Sequence, residues 1–229
     1  MGSPSSYQMS YAVKPDNYFE NTRPEMLRFV PPKAERTLEL GCGSGGFSAA
    51  LKADHPRECW GIEIDNRAAQ KASDRLDKVI IGEATAAVPN LPDGYFDCII
   101  MNDILEHLTD PFALLRSLRG KLRPDGVIVA SVPNVRFWNN LRDLAWRGNW
   151  DYKEAGILDS THLRFFTFRS LQKMFPALGY DVVRIEGLKP THNNKYRLLN
   201  LLLLNRLWDA RYHQFACVVR PNAGREPAT

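Results

Sequence analysis

The chain lacks the features that membrane, fibrous and disulfide-built proteins require. No apolar run among its 229 residues approaches the roughly 20 needed to cross a bilayer. The longest, Leu198 to Leu204, is broken by Asn200 and flanked by Arg197 and Asn205, so no membrane span is expected. Cysteine is scarce. Cys42, Cys59, Cys98 and Cys217 stand far apart with no C-x-x-C pair, which argues against a zinc site and for four reduced thiols. There is no internal repeat and no low-complexity block. The opening Met1-Gly-Ser-Pro-Ser-Ser is polar and offers no secretory h-region, so a cytoplasmic location is expected. An excess of one charge is also missing. Thirty Lys and Arg against 26 Asp and Glu leave a net charge of +4. The cations are scattered, so the basic track of a nucleic-acid binder is not expected.

What is present suits one soluble domain, with 44% hydrophobic and 24% charged residues. Strand and helix signals alternate. Strand-like runs are Thr37–Leu40, Cys59–Ile64, Val79–Ile81, Phe96–Met101, Gly126–Val132, Tyr180–Ile185 and Phe215–Val219. Between them, Phe47–Ala53, Ala68–Lys78, Pro111–Leu122, Leu171–Leu178 and Leu198–Trp208 read as helices. Near-continuous apolar strands separated by helices mean a mostly parallel sheet covered on both faces. The fold class is therefore α/β and Rossmann-like. Ligands on such sheets sit outside the carboxyl ends of the strands, so the residues just after each strand carry the functional reading.

The first strand runs into Glu39-Leu-Gly-Cys-Gly-Ser-Gly-Gly46, in which Gly41, Gly43 and Gly46 satisfy G-x-G-x-x-G. Such a loop brings backbone close to a ligand. Glu63 ends the second strand about 20 residues later, where a carboxylate accepts from a ribose diol. A dinucleotide and S-adenosylmethionine both fit this pattern. Glu39 separates them: a carboxylate there repels a diphosphate and attracts an ammonium group. The methyl donor carries that ammonium and no phosphate, so it is favoured over a nicotinamide cofactor.

Five segments in order then resemble the class I S-adenosylmethionine-dependent methyltransferases: Leu38–Gly45, Gly61–Asp65, Ile81–Ala84, Phe96–His107 and Leu122–Val129. The resemblance implies a seven-stranded, mostly parallel sheet with helices on both faces. Gly41, Cys42, Gly43 and Gly45 would carry the methionine part, with Glu39 near its ammonium. Glu63 and Ile64 would hold the ribose, Glu83 and Ala84 the adenine, and Asn102 would line the sulfonium. Upstream, Tyr18 would close over the cofactor and Arg23 would meet the methionine carboxylate. The chain divides into an N-terminal helical cap (1–30), a cofactor-binding core (31–132), an acceptor-site insertion or lid (133–170) and the C-terminal part of the sheet (171–229).

A hydroxyl acceptor must lose a proton during methyl transfer, so a base or a metal helps. His107 follows the fourth strand at the cofactor mouth and is a candidate base. His162 lies in Asp159-Ser-Thr-His-Leu-Arg-Phe-Phe-Thr167. That stretch resembles ubiquinone-type O-methyltransferases and also the second metal histidine of small-RNA 2′-O-methyltransferases. By that likeness Asp103, Glu106, His107 and His162 form an oxygen and nitrogen set for a divalent cation. His107 and His162 are the catalytic candidates with or without the metal. The other reading of this segment is a helix start capped by Asp103, with His107 hydrogen-bonded. His55, His192 and His213 have no such context and are read as structural or solvent-facing.

The insertion is rich in Trp, Arg and Asn, which suits a pocket for a sugar or small-molecule hydroxyl; packing of its tryptophans on the sheet accounts for part of that composition. The leucine-rich helix can cover the sheet, form the seam of a homodimer or touch lipid, with core packing first and dimerisation second. The expected activity is O-methylation of a small molecule such as a glycan or natural-product intermediate. The rivals are an RNA 2′-O-methyltransferase and a non-catalytic S-adenosylmethionine-binding protein.

Overall fold

A computed structural model describes residues 20, 22–222 and 224. After a short α1 (Pro24–Leu27), the chain alternates β1 (Arg36–Leu40), α2 (Gly46–Asp54), β2 (Glu58–Glu63), α3 (Asn66–Ser73), β3 (Lys78–Ile81) and α4 (Ala84–Ala87). It continues through β4 (Phe96–Asn102), a 3-10 turn (Leu105–His107), α5 (Pro111–Arg119), β5 (Leu122–Pro133) and α6 (Trp138–Arg147). The last elements are α7 (Phe168–Ala177), β6 (Tyr180–Pro190), α8 (Asn194–Leu202) and β7 (Tyr212–Pro221).

The seven strands form one sheet in the order β3-β2-β1-β4-β5-β7-β6. Pairing is parallel from β3 to β5, and β7 runs antiparallel between β5 and β6. The mostly parallel, seven-stranded α/β sheet expected from the sequence is present. Its strands bury both faces, as a parallel sheet between helices must. β4 shows this directly: Ile99 and Met101 join one core cluster, with Leu114 and Phe175, and Cys98 and Ile100 join the other, with Met26 and Phe47.

Short polar side chains set the helix starts. Asp65 accepts from the amides of Arg67 (3.0 Å) and Ala68 (2.9 Å) to cap α3. Asp110 accepts from Ala113 N (2.9 Å) to cap α5. Thr167 and Ser170 cap α7 reciprocally. Gly179, after α7, has a positive φ, as a helix-ending glycine should. The four cysteines are separate buried thiols.

The leucine-rich segment departs from its expected core role. α8 ends at Leu202 rather than Trp208. Leu198, Leu201, Leu202 and Leu204 are 61%, 73%, 69% and 83% exposed, so they do not cover the sheet. The insertion is also more open than a packed helix: Trp138 is buried, whereas Trp146 is 79% exposed.

Candidate active site

The glycine loop sits at the carboxyl end of β1, where backbone geometry selects its residues. Gly41, Gly43 and Gly45 have φ of 65°, 53° and 80°, a region that side chains disfavour. At Gly41 a Cβ would also overlap the side chain of Ile104. The amide of Gly43 donates to Glu63 Oε2 (2.8 Å). Glu63 Oε1 accepts from the amides of Ile64 (2.8 Å) and Asp65 (2.9 Å). One buried carboxylate thus ties the loop to the end of β2. Three of its roughly four acceptor positions are filled by backbone. Burial raises its pKa, against the pull of those same amides.

Glu39 lies at the end of β1 beneath the loop and is buried. Ser48 of α2 donates to its carboxyl (2.7 Å). Burial pushes the Glu39 pKa up to about 8; the Ser48 hydrogen bonds oppose the rise and nearby Glu63 adds to it. Asn102, at the end of β4, lies close enough to favour the ionised form of Glu39. The Asn102 amide nitrogen and oxygen are nonetheless buried without a well-formed hydrogen bond. A cation entering between loop and strand would meet a carboxyl awaiting its charge and an amide awaiting a partner. That donor set fits the amino-acid end of S-adenosylmethionine and opposes a diphosphate.

The adenine side is more open. Glu83 precedes α4, is exposed, and accepts a hydrogen bond from Thr85 Oγ1 (2.8 Å). Tyr18, the expected cover of the cofactor, lies outside the described residues.

Arg23 is 5% exposed and is held across the top of the sheet. Its guanidinium pairs with Asp103 and Glu25 and donates to Ser131 Oγ (3.1 Å) and Gln214 Oε1 (3.3 Å). The sequence reading gave Arg23 to a cofactor carboxylate; here protein carboxylates already engage it. Asp103 is equally committed. Its backbone is left-handed, with φ of 55°, and it caps no helix, because the 3-10 turn begins after Ile104. Its Oδ1 accepts from Ser131 Oγ (2.9 Å) and Gln214 Nε2 (3.2 Å).

The two candidate histidines do meet. The insertion returns to the 3-10 turn, where the amides of Leu163 (2.7 Å) and Arg164 (3.0 Å) donate to the Glu106 carbonyl. This brings the His107 and His162 rings to 4.7 Å, edge to face. His162 Nδ1 lies 2.9 Å from the Ile157 carbonyl. A carbonyl only accepts, so Nδ1 carries the proton and Nε2 holds the ring's lone pair in the neutral form. His107 Nδ1 faces Thr161 Oγ1 (3.1 Å) and the Thr161 carbonyl (3.3 Å). The Thr161 hydroxyl donates to Asp159 Oδ1 (2.7 Å), so its oxygen accepts from His107. A chain Asp159–Thr161–His107 therefore fixes the same tautomer on the second ring.

Glu106 stands beside them, 1% exposed, with neither carboxylate oxygen hydrogen-bonded. Burial pushes its pKa up to about 8, its own amide and Arg23 opposing. One donor atom from each of Glu106, His107 and His162 lies within 4.8 Å of the others. Asp103, the fourth member of the set drawn from sequence, is not in this group.

His213 of β7 enters the same region without a signal in the sequence. Its Nδ1 is buried and unpartnered, and burial, with Lys189 and Arg23 nearby, pushes its pKa down. The antiparallel pairing of β7 with β5 places it there, with the Asn134 backbone amide donating to the His213 carbonyl (2.9 Å).

Comparison with known proteins agrees with this fold. A methyltransferase-domain family matches residues 16–185. A protein of Mycolicibacterium smegmatis named a probable S-adenosylmethionine-dependent methyltransferase is 28% identical over 145 residues, covering 63% of this chain and 51% of that protein. Trans-aconitate 2-methyltransferase of Methylobacterium radiotolerans is 35% identical over 119 residues, 50% of this chain and 45% of that protein. The chain thus spans about half the length of these relatives. A crystal structure of a methyltransferase from Archaeoglobus fulgidus, 20% identical, superposes with a TM-score of 0.67 over 94% of this chain and 99% of that one, and shares the fold. The chain belongs to the class I S-adenosylmethionine-dependent methyltransferases.

Proposed function

We propose that the protein methylates a hydroxyl group on a small molecule such as a sugar, glycan or natural-product intermediate. The observation that carries this reading is the paired His107 and His162, whose Nδ1 partners make each Nε2 the lone-pair nitrogen of its neutral ring. A hydroxyl is a weak nucleophile and must shed a proton as its oxygen attacks; amines and carboxylates depend less on such a base.

S-adenosylmethionine, when bound, supplies the methyl group as a sulfonium. Glu39 and Asn102 would hold its amino-acid end, the loop Gly41 to Gly45 its methionine backbone, Glu63 and Ile64 its ribose, and Glu83 and Ala84 its adenine. The residues 133–170 exclude water over the acceptor. One Nε2 takes the hydroxyl proton as the acceptor oxygen forms its bond to the methyl carbon and the sulfur–carbon bond breaks. The products are the methyl ether, S-adenosylhomocysteine and a protonated imidazole.

Glu106, His107 and His162 would also hold a divalent cation, since two imidazoles and one orphaned carboxylate suit such an ion. It would lower the pKa of a bound hydroxyl. The name of the trans-aconitate relative points to a different acceptor, so acceptor chemistry needs its own test. Purified protein is incubated with labelled donor and a panel of hydroxylated, amine and carboxylate acceptors. O-methylated product with stoichiometric S-adenosylhomocysteine is expected, with His107→Ala and His162→Ala slowing single-turnover transfer by about 10²–10⁴-fold. Unchanged rates in both variants would remove the base from this reading.

A further inference from the structure

The segment from Asn193 to Trp208 connects β6 to β7 at the carboxyl edge of the sheet, the same edge as the cofactor loop. It is folded, not frayed. Asn193 caps α8 through the amides of Lys195 (2.9 Å) and Tyr196 (3.3 Å). Tyr196 is buried, packs on Trp138 of the insertion at 5.7 Å, and donates its hydroxyl to the Leu207 carbonyl (2.7 Å). Asn200 Oδ1 accepts from Leu207 N (2.9 Å), while Leu204 and Asn205 turn the chain with φ of 51° and 61°. This scaffold displays Leu198, Leu201, Leu202 and Leu204 to solvent. A contiguous run of such exposure is not a scatter of single surface residues, and it marks a contact surface.

The surrounding charge says which contact. From Gly187 to Trp208 there is no Asp or Glu, while Lys189, Lys195, Arg197 and Arg206 are all present and exposed. Among the described residues no acid pairs with Lys195, Arg197 or Arg206. A second copy meeting this patch about a two-fold axis would set one surface of cations without acids against another. An anionic surface neutralises them. No helix among the described residues is long and apolar enough to cross a membrane. The chemistry is instead that of an interfacial segment, leucines directed into the acyl boundary and Lys and Arg at the headgroups.

We propose that the α8 ridge docks the protein on an anionic lipid surface. Trp138 and Tyr196 join the ridge to the insertion, so docking sets the acceptor mouth beside the bilayer and suits an acceptor carrying a lipid tail. The docking itself does not rest on the O-methylation reading.

The test is flotation of the full chain with vesicles of phosphatidylcholine alone and of phosphatidylcholine with about a third phosphatidylglycerol, at about 0.05 M and about 0.5 M salt. The protein should float with the anionic vesicles at low salt and largely detach at high salt. Leu201→Ser/Leu204→Ser and Lys195→Glu/Arg197→Glu should each cut the bound fraction at least about tenfold at unchanged melting temperature, because these side chains are exposed. No flotation, or equal flotation on both vesicle types, overturns the proposal. So does a light-scattering dimer that Leu201→Ser/Leu204→Ser dissociates while the parent ignores vesicles, since a second copy would then be the occupant. No acceptor or methyl donor is present, so the result is independent of the chemistry proposed above.

Discussion

Arg23 and Asp103 form an ion pair across the top of the sheet, and it takes Asp103 out of the histidine cluster. Arg23 is buried, while the Asp103 side chain keeps 29% of its exposure. Removing the acid leaves the buried guanidinium with Glu25, Ser131 and Gln214 as its remaining partners. Asp103→Ala should cost about 1.5–3 kcal/mol, the loss of hydrogen bonds to a charged group rather than of a sole counter-ion. Arg23→Met/Asp103→Leu should cost less than Asp103→Ala alone, which denaturant unfolding would read. The same pair bears on metal. If a divalent ion is held by Glu106, His107 and His162, Glu106→Gln should weaken it by more than the roughly 10–100-fold that losing an outer-shell partner costs, and Asp103→Asn should change it little. Calorimetric titration with Mg²⁺, Mn²⁺ and Zn²⁺ separates the two sets.

The glycine loop and its acidic neighbours were legible because their pattern is local. The loop from Gly41 to Gly45, Glu39 before it and Glu63 at the end of β2 lie at strand ends that the apolar runs mark out; the Gly43 amide meets Glu63, and Ser48 meets Glu39. The acceptor half depends on contacts that no local pattern records. Asp103 turns away because it adopts a left-handed backbone, which a non-glycine residue does not announce. Thr161 and Asp159 reach His107 only because residues 163 and 164 bond the Glu106 carbonyl. His213 arrives through an antiparallel strand from the far end of the chain. In α8 the leucines read as core because periodicity reports amphipathicity, not what covers the apolar face.

Glu39 should couple cofactor affinity to pH. With its pKa near 8, the carboxyl is largely protonated at pH 7 without ligand. An ammonium docked beside it favours the charged form, so binding releases a proton. Affinity for S-adenosylhomocysteine should climb by up to about tenfold per pH unit between pH 6 and 8. It should level off above about pH 8, where Glu39 is already ionised without ligand, and turn down only at the higher pH where the ligand's own amino group loses its proton. Calorimetry at pH 7 in buffers of different ionisation heat should count close to one proton released, and Glu39→Gln should abolish it. The sign for stability is opposite. A carboxyl whose pKa is raised from 4.5 to about 8 on folding makes the ligand-free protein lose stability as pH rises between those values. Glu39→Gln should flatten that part of the melting-temperature profile.

Glu63→Gln tests the carboxylate that joins loop and strand. The glutamine oxygen can replace one Glu63 oxygen, but its amide group must face a backbone N–H, donor against donor. Loss of hydrogen bonds to a charged acceptor costs about 1.5–3 kcal/mol. Thermal unfolding should register that loss without ligand. If Glu63 also holds the ribose, as proposed above, affinity for S-adenosylhomocysteine should fall by about 10–100-fold. A variant that melts lower yet binds normally would confine Glu63 to the loop.

Thr161→Val isolates the link between Asp159 and His107. Valine keeps the shape of threonine but removes the oxygen that accepts from Nδ1 and donates to Asp159. The ring then loses its tautomer restraint on that side, though the Thr161 carbonyl remains at 3.3 Å. Orienting contacts of this kind typically carry about 10–100-fold in activity. The expected result is a drop in kcat of about tenfold, with S-adenosylhomocysteine affinity unchanged because the Thr161 hydroxyl bonds Asp159 and His107 rather than the glycine loop. Thr161→Ser, which restores the hydroxyl, should recover most of the rate. Equal losses in the Val and Ser variants would show that Thr161 acts through packing of its methyl group, and the chain from Asp159 to His107 would then have no part in turnover.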